Sequence, residues 1–577
     1  MTIRNIDIVK VLDQIRIHSL YVHNEELDGA SFSTERLKDR KVYLVETLAV
    51  LNALAEKGTM LLYGGHGGGK TTLSKYLGQI FCHKSKDKIE ESILRGHPQL
   101  TEEKILGSLD IAQLTGAKPL NKDDKIDVIW NDFVDSEWKI IDEVNRLSPY
   151  AQNILLSLLA ESTVKYHNES KWIPKFTLYA TMNPKDEGNW NLSLPFLDRF
   201  GMALPITMPD YDSFSTIGEK DNSLRKDNLE KLLPQLQLSE LQKDVKTIRF
   251  SEEADLFVNF LIASYRLCER VSKESNEDLS VDKNLCEGCH MKAPEKVCNK
   301  IKQPLSVRVK EDLKKYGKAL AWFLGDNKVE TKHIMAIAPY IIWHRTLISK
   351  AFLEEQRSLN RQENGNYYIT NLKLVATKKI MNMIYKEFEG VKKHLADFEK
   401  IKEGKLSIAD FNNALSSAKN PNNNFLILKQ EIIPILENKY LPVYSTIVEM
   451  NKKIDKTKEP TQLRRIKDEL IFSYDIPNRQ FLTDRIDKKI QMSKAERISF
   501  TLNINTVERN KELCKLIASR WEGFPERQLP KLQELRIRDI VDDECDLTVL
   551  FNNSGYCFTY KGDNTTEIFK LLKDNAH

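Results

Sequence analysis

The feature that most constrains the fold of this 577-residue chain is a glycine-rich segment between an apolar run and an amphipathic stretch. Residues 64–71 read Gly-Gly-His-Gly-Gly-Gly-Lys-Thr; they follow Met60–Tyr63 and precede a helical pattern over residues 72–81. Glycines let backbone N–H groups turn towards phosphate oxygens, and the following helix adds the positive end of its dipole. The segment therefore predicts a phosphate-binding loop, although a glycine turn that only joins a strand to a helix is the simpler alternative.

The side chains that close the predicted loop have separate roles. Lys70 would reach the β- and γ-phosphates of a nucleotide, and the Thr71 hydroxyl would bind Mg²⁺. His66 could bond a phosphate when protonated, but a surface position is the favoured interpretation. The residues expected to line the nucleotide are Gly64, Gly65, His66, Gly67, Gly68, Gly69, Lys70, Thr71 and Thr72.

An acidic pair follows a second apolar run, about 70 residues further along the chain. Residues 138–141 predict a strand that leads into Asp142 and Glu143. Asp142 would hold Mg²⁺, mainly through its bound waters, and Glu143 would orient the water that attacks the phosphate. Such a pair can also be the start of a helix, but its position after the glycine loop favours a catalytic role.

The pattern and the composition limit the class of protein. From residue 38 to residue 215, short apolar runs, including Phe176–Thr181, alternate with helical stretches, which predicts an α/β fold with a parallel sheet and flanking helices. With 87 Lys and Arg against 83 Asp and Glu, the net charge of +4 makes no electrostatic case for a dedicated nucleic-acid binder. No apolar run approaches the length of a membrane helix, so no membrane contact is expected. The eight cysteines do not form a disulfide scaffold, so we expect a cytoplasmic location.

A series of short motifs resembles the MoxR branch of the AAA+ ATPases, a helix-2-insert branch with a P-loop NTPase core. The string DEVNR at residues 142–146 is similar to that branch's D-E-[IV]-N-R signature. Further segments resemble family motifs in the same order along the chain: Arg95–Pro98, Ile105–Ser108, Thr181–Pro184, Leu197–Phe200, Ser306–Arg308 and His344-Arg345. The resemblance covers about residues 38–350. It departs from the family at residues 65–66, where prolines are usual.

The resemblance implies roles for three further residues. Asn183 would polarise the attacking water or sense the γ-phosphate, although it could simply be a turn residue. Arg199 would reach the nucleotide of a neighbouring subunit, the alternative being a local salt bridge with Asp198. Arg308 would contact phosphate, either in its own subunit or in a neighbour. Asn183 and Arg199 join Lys70 and Glu143 in the predicted catalytic set, and Arg308 is expected to bind the nucleotide.

The resemblance also implies a function. The expected activity is Mg²⁺-dependent hydrolysis of ATP at the subunit interfaces of a homo-oligomeric ring, normally a hexamer. The work done would be chaperone-like remodelling of a protein client, often with a von Willebrand factor A domain protein as partner. The alternative is a nucleic-acid-dependent AAA+ motor, either helicase-like or similar to McrB-type restriction NTPases. A scaffold that binds ATP but turns it over slowly ranks last, because every catalytic residue is present.

A cysteine cluster lies outside the family pattern. Cys268, Cys286, Cys289 and Cys298 fall within 31 positions, and the pair at 286 and 289 has C-x-x-C spacing with a glycine inside. Four thiolates at these spacings suit a closed, tetrahedral structural Zn²⁺ site. His290 competes with Cys268 for the fourth position, and four reduced thiols in a loop are the simpler alternative.

The chain is predicted to contain five regions. The lid should include helices over Ser306–Leu324 and Thr331–Ser349. Residues 351–577 show no catalytic pattern and are the expected place for partner selection. The regions are an N-terminal helical extension at 1–37, an AAA+ α/β nucleotide-binding domain at 38–215, a helical lid at 240–350 with the Cys-rich insertion at about 268–303, a helical accessory region at 351–530 and a small α+β terminal unit at 531–577.

Overall fold

The computed structural model divides the chain into two compact units, Met1–Lys392 and Lys393–His577. The residues that the structure describes are 5–18, 25–65, 67–119, 121, 126–167, 169–183, 192–207, 238–265, 296–364, 371–420, 425, 427–457, 459–473, 475–498, 547–552 and 555–560.

The first unit contains a five-stranded parallel sheet. Its strands lie in the order β2-β5-β8-β1-β9, and every neighbouring pair is parallel. The strands are β1 (Thr59–Tyr63), β2 (Ile93–Arg95), β5 (Trp138–Asp142), β8 (Thr177–Met182) and β9 (Met202–Pro205). The predicted α/β class is thereby confirmed, and the three strands predicted from apolar runs are present with ends shifted by a single residue.

Both faces of this sheet are buried, which explains why its strands are apolar throughout. On one face, Trp138 stacks on Phe81 and its Nε1 donates to the Ser74 carbonyl oxygen at 3.0 Å. On the other face, Leu61, Ile141 and alternating residues of β8 and β9 join one apolar cluster with the helix at residues 149–161. Neighbouring residues of a strand therefore pack on opposite sides of the sheet, because successive side chains point to opposite faces.

A lysine is the second residue of β5. Lys139 is fully buried, and its Nζ donates to the carbonyl oxygens of Phe133, Val134 and Ser136 at 2.5, 2.8 and 2.7 Å. Burial lowers the pKa of Lys139 to about 7. Because three carbonyl acceptors match the three N–H donors of an ammonium group, the charged form keeps a full set of partners inside the core.

The remaining elements of the first unit surround the sheet. Among the described residues, its helices are α1 (Asn5–His18), α2 (Leu44–Leu54), α3 (Lys70–Cys82), α4 (Lys86–Glu91), α5 (Glu102–Leu106), α6 (Ile111–Leu114), α7 (Asp132–Asp135), α8 (Pro149–Glu161), α9 (Leu194–Leu197), α10 (Leu238–Thr247), α11 (Glu252–Ser264), α12 (Arg308–Leu324), α13 (Thr331–Ile342), α14 (Lys350–Asn364) and α15 (Leu372–Lys402), the last of which contains the boundary between the units. Two antiparallel hairpins are formed by β3 (Gly107–Leu109) with β4 (Val128–Trp130) and by β6 (Thr163–Tyr166) with β7 (Glu169–Trp172), and β10 (Arg249–Phe250) pairs in parallel with β11 (Lys328–Val329). Single 3₁₀ turns occur at Glu35–Leu37, Val144–Arg146 and Val297–Asn299.

One lid helix is shorter than predicted. The sequence pattern extends a helix to Ser349, but α13 ends at Ile342. The Nε2 of His344 lies 2.8 Å from the carbonyl oxygen of Phe200, just before β9, and Ile348 forms a β-bridge with Ile301. The prediction of this boundary was wrong because tertiary contacts, and not the apolar period, decide where the helix stops.

The described part of the second unit is helical apart from a hairpin near the end of the chain. Its elements are α16 (Ile408–Ala418), a π-helical segment (Leu428–Ile432), α17 (Ile433–Ile435), a second π-helical segment (Leu436–Tyr440), a 3₁₀ turn (Leu441–Val443), α18 (Tyr444–Lys456), α19 (Pro460–Phe472), α20 (Arg479–Ile498) and the antiparallel strands β12 (Leu547–Asn552) and β13 (Gly555–Tyr560). In the part of the chain that the structure describes, no helix combines the length and the apolar character needed to cross a bilayer.

Candidate nucleotide site

The glycine loop joins the end of β1 to the start of α3, at the carboxyl edge of the sheet. Gly67 and Gly69 have φ angles of 78° and 72°, which side chains rarely adopt. Gly64 is needed for a different reason, because a Cβ there would lie 2.1 Å from the Ile206 carbonyl oxygen. At Gly65, a Cβ would meet nothing within 4 Å. The chain after β9 therefore backs the loop, a role for Ile206 that the sequence did not reveal.

Lys70 is the first residue of α3 and is only 7% exposed. Its Nζ donates to the carbonyl oxygens of Gly64 and Gly65 at 2.9 and 2.5 Å and to Oδ1 of Asn183 at 2.8 Å. A buried ammonium group held inside a glycine loop, at the first turn of a 13-residue helix, fits a polyphosphate. Thr72 is exposed on the same turn, and His66 lies outside the described residues.

Asp142 and Thr71 meet although they are 71 positions apart. Oδ1 of Asp142 accepts hydrogen bonds from Oγ1 of Thr71 and from Oγ1 of Thr181, each at 2.7 Å. Carboxylate and hydroxyl oxygens are the hard ligands that Mg²⁺ prefers, so this pair fits the ion that the sequence implies.

Glu143 lies beside Asn183, the side chain that accepts a hydrogen bond from Lys70. Its backbone is left-handed, with φ 54° and ψ 54°. Asn183 Nδ2 donates to Oε1 of Glu143 at 3.3 Å, and Arg146 Nη1 lies 3.2 Å from Oε2. The structure thus brings together Lys70, Glu143 and Asn183, three of the predicted catalytic residues, at one edge of the sheet.

Three residues that the sequence did not single out hold these groups in place. Thr181 lies on β8, two positions before Asn183, which directly follows the strand. Asn145 Nδ2 donates to the Asn183 carbonyl oxygen at 2.8 Å. A Cβ at Gly96 would lie 2.1 Å from the Glu143 carbonyl oxygen. All three occur inside segments that resemble family motifs, and that resemblance is the sequence signal that could have identified them.

A second cluster forms around Asp198, just after α9. Its Oδ2 lies 3.3 Å from Arg308 Nη1 and 3.6 Å from Arg199 Nη1, and its Oδ1 accepts a 2.7 Å hydrogen bond from Ser306. Nε of Arg199 is buried and has no hydrogen-bond partner among the described residues. Burial, followed by the nearby Arg308 guanidinium, lowers the pKa of Arg199. The two arginines therefore share one carboxylate.

The lid closes this cluster through a buried ion pair. Arg345 donates from Nε and Nη2 to the Phe200 carbonyl oxygen at 3.1 and 2.6 Å, and from Nη2 to Asp312 Oδ2 at 2.5 Å. Burial pushes the pKa of Asp312 up, but Lys315 and Arg345 outweigh it and hold that pKa at about 2. Arg345 thus ties the lid to the segment that carries Arg199.

The two sets of charges are separate within one copy of the chain. Among the described residues, the side-chain hydrogen bonds and ion pairs of Arg199 and Arg308 are with Asp198, and none involves the glycine loop or Asp142 and Glu143. The structure therefore does not bring Arg199 and Arg308 to the loop that holds Lys70.

The predicted zinc site stays a prediction. Cys268, Cys286, Cys289 and His290 lie outside the described residues, and Cys298 lies in the 3₁₀ turn Val297–Asn299. Within the described ranges, no group of three or more His, Cys, Asp and Glu side chains could hold a metal ion.

A family comparison agrees with the sheet and the glycine loop. Residues 59–200 match the AAA domain family described as the dynein-related subfamily. This range starts at β1 and ends beside Arg199, so it contains the loop, the acidic pair and Asn183. Residues 59–200 of the first unit are thus similar to an AAA domain, and their parallel sheet with flanking helices is the fold of the AAA+ α/β class.

Similarity to individual proteins is weaker. The chain is 24% identical over 219 residues to the uncharacterized protein YeaC of Bacillus subtilis (strain 168), a match that covers 37% of this chain and 64% of YeaC, just under two thirds of that relative's length. A crystal structure of a candidate ATPase from Cytophaga hutchinsonii superimposes with a TM-score of 0.42 and 17% identity, over 66% of this chain and 94% of that one. A TM-score at that level supports no conclusion about this chain.

Proposed function

We propose that this chain is a MoxR-like AAA+ ATPase that hydrolyses ATP at the subunit interfaces of a ring and uses the energy to remodel or assemble a partner protein. The observation that carries the proposal is the division of the predicted catalytic and nucleotide-binding residues into two groups. Lys70, Glu143 and Asn183 lie together, whereas Arg199 and Arg308 share Asp198 elsewhere in the same unit. A reaction that needs both groups requires two copies of the chain.

The first group has the chemistry of a phosphate-binding half-site. The Lys70 ammonium, now bonded to loop carbonyls and Asn183, can instead donate to phosphate oxygens. Thr71 and Asp142 would hold Mg²⁺, which neutralises charge on the phosphates when it is bound. Glu143 would accept a proton from water or orient it, once its carboxylate leaves Arg146 and Asn183.

The second group has the chemistry of an anion-binding half-site. Arg199 and Arg308 bring two guanidinium groups to the Asp198 carboxylate. Arg345 lies near both Asp198 and Asp312, so the arginines of this cluster outnumber its two carboxylates. The buried Nε of Arg199 is a donor that an incoming phosphate could use. In a ring of head-to-tail subunits, this surface of one copy faces the nucleotide of the next.

The finer parts of the proposal rest on the family resemblance of the motifs. The resemblance of the DEVNR string and the other family-like motifs implies a hexameric ring with a chaperone-like function. It also implies a protein client and a von Willebrand factor A domain partner. ATP is the expected nucleotide. A nucleic-acid-dependent motor is kept as an outcome of the experiment, because the net charge of +4 does not favour it.

The test is complementation between two inactive variants. Glu143→Gln removes the base from the first group, and Arg199→Ala removes a cation from the second. Each variant alone should lose ATP turnover. In a 1:1 mixture, about one interface in four joins an intact Glu143 to an intact Arg199, so turnover should return to a corresponding fraction of the wild-type rate. Wild-type turnover should also rise with protein concentration.

The controls separate the alternatives. A mixture of Glu143→Gln with a double variant that lacks both groups should stay inactive, because no interface is then complete. If the two single variants fail to complement each other, the shared-interface mechanism is wrong. If single-stranded or duplex DNA strongly stimulates ATP turnover by the wild type, with a steep dependence on salt, the protein is a nucleic-acid-dependent motor instead.

A further inference from the structure

The end of the β5–β8 ladder is bridged by a side chain. The parallel pairing of the two strands runs from Trp138 with Thr177 to Ile141 with Ala180. The next residue on each strand is Asp142 or Thr181. At the point where backbone pairing stops, the Thr181 hydroxyl therefore continues the connection between the two strands.

This hydroxyl makes two hydrogen bonds to the acidic pair. Oγ1 of Thr181 donates to Oδ1 of Asp142 at 2.7 Å, and it accepts from the backbone N–H of Glu143 at 2.9 Å. Thr181 is 1% exposed, so water does not compete for either bond. A hydroxyl has one donor and two acceptor positions, and here it uses one of each on adjacent acidic residues.

Both bonds act on groups whose placement matters for hydrolysis. The backbone of Glu143 is left-handed, a conformation that a non-glycine residue keeps only when its surroundings enforce it. Oδ1 of Asp142 has a second donor, the hydroxyl of Thr71. If Thr71 turns away to bind Mg²⁺, the Thr181 hydroxyl remains as the donor that fixes the Asp142 carboxylate.

We propose that Thr181 is a positioning residue for the reaction: its single hydroxyl orients the Asp142 carboxylate towards the magnesium position and fixes the backbone of Glu143. This inference rests on the proposed function, since it assigns Asp142 to Mg²⁺ and Glu143 to water. It adds a residue whose role comes from its place on β8 and not from its own reactivity.

The test compares three substitutions on β8. Thr181→Val keeps the shape of the side chain and removes the hydroxyl, whereas Thr181→Ser keeps the hydroxyl and removes the methyl group. Thr177→Val is the matched control, because Thr177 lies on the same strand, is also 1% exposed, and its Oγ1 has no hydrogen-bond partner among the described residues. Two properties are measured: the Mg²⁺ concentration that gives half-maximal binding of a fluorescent ADP analogue, and the kcat and KM for ATP.

The expected result is a loss in one variant only. Thr181→Val should raise the half-maximal Mg²⁺ concentration and lower kcat, each by about 10- to 100-fold, the usual effect of removing a residue that orients a metal ligand. Its KM for ATP should change by less than about threefold, because the loop and Lys70 are untouched. Thr181→Ser and Thr177→Val should both behave like the wild type.

Several outcomes would overturn this role. If Thr181→Val matches the wild type, or if Thr181→Ser is as impaired as Thr181→Val, the hydroxyl does not position the acids. Equal impairment of Thr177→Val would mean that β8 responds to any substitution. A wild type that binds no Mg²⁺-nucleotide overturns the proposed function and this role together, whereas an active wild type with an unaffected Thr181→Val overturns this role alone.

Discussion

The nucleotide loop with its acidic pair and the arginine cluster around Asp198 belong to the same unit but differ in how their charges are matched. In the first, the Lys70 ammonium has three acceptors and Oδ1 of Asp142 has two hydroxyl donors. In the second, Arg199 and Arg308 share one carboxylate, and Arg199 Nε and Arg345 Nη1 are buried without partners among the described residues.

Under the proposed function, this difference separates nucleotide binding, which one copy of the chain can perform, from hydrolysis, which needs two copies. The loop and the acids are complete as a binding half-site, since each charged group already has a partner that a ligand can replace. Under the proposed function, donors of the arginine cluster that lack partners among the described residues would bind an anion held by a neighbouring copy. The comparison predicts that changes at the loop and its acids alter nucleotide or Mg²⁺ binding, whereas removal of Arg199 lowers turnover without weakening nucleotide binding.

The largest effect is expected at Arg199. Replacing it with alanine should lower ATP turnover about 1,000-fold, because it removes a cation that stabilises charge on the transferred phosphoryl group. Binding of a fluorescent ADP analogue to dilute protein should be unchanged. The exposed Arg249 supplies a matched control, and Arg249→Ala should be fully active. Reduced ADP binding by Arg199→Ala would contradict the separation of the two regions.

The next effect concerns the buried ion pair of the lid. Asp312→Asn should lower the free energy of unfolding of the first unit by about 3 kcal/mol, because it leaves Arg345 buried without its carboxylate. Urea unfolding followed by circular dichroism measures this change. The exposed Asp28, which pairs with Lys378 at the surface, provides the control, since Asp28→Asn should have little effect.

The same pair gives a pH dependence. The pKa of Asp312 is about 2 in the folded protein, against its usual 3.8, so the stabilisation is complete above 3.8 and is lost as the pH falls towards 2. The unfolding free energy of the wild type should therefore decrease with falling pH in this range. Asp312→Asn should decrease less steeply. Parallel curves for the two proteins would show that the carboxylate does not carry this dependence.

A moderate effect is expected at the loop itself. Gly64→Ala should weaken nucleotide binding about 10-fold, because its Cβ would lie 2.1 Å from the Ile206 carbonyl oxygen and force the loop or the chain after β9 to move. Gly65→Ala should lose much less affinity, since its Cβ meets nothing within 4 Å. Titration with a fluorescent ADP analogue distinguishes the two. Equal losses would mean that the loop, and not Ile206, imposes the requirement.

The smallest effect is a gain in stability. Thr177→Val should raise the free energy of unfolding by up to about 1 kcal/mol, because it replaces a buried hydroxyl that lacks a partner among the described residues. Thr181→Val on the same strand should lower it, because two hydrogen bonds are lost. Chemical denaturation of both variants tests the pair, and a destabilised Thr177→Val would argue against the orphaned hydroxyl.

Much of the fold of the first unit could be predicted because the signals are local. Residues 60–81 contain, in order, an apolar run, a glycine-rich segment and an amphipathic stretch. These three signals correspond to the strand, the loop and the helix of the structure. The run at 138–141 likewise became β5. The end of α13 was predicted wrongly, since the contact of His344 with Phe200 lies outside any local window.

The arginines show the limit of motif reasoning. Their residue types were read from short strings, and the sequence left open whether Arg308 acts in its own subunit or in a neighbour. Its contact with Asp198, 110 positions away, depends on the packing of the lid against the segment after α9. No periodicity in the sequence reports such a contact.

The sequence by itself determined the chemical groups of the candidate site and their order along the chain, because glycine, lysine and the acidic pair are required where a strand meets a helix. The tertiary structure decided which groups meet. Thr181 reaches Asp142 across 39 positions, Ile206 backs Gly64, and Asp198 gathers two arginines. The first two contacts arise because parallel strands distant in sequence end at one edge of the sheet. The third arises because the lid packs against the segment after α9, and sequence spacing records neither arrangement.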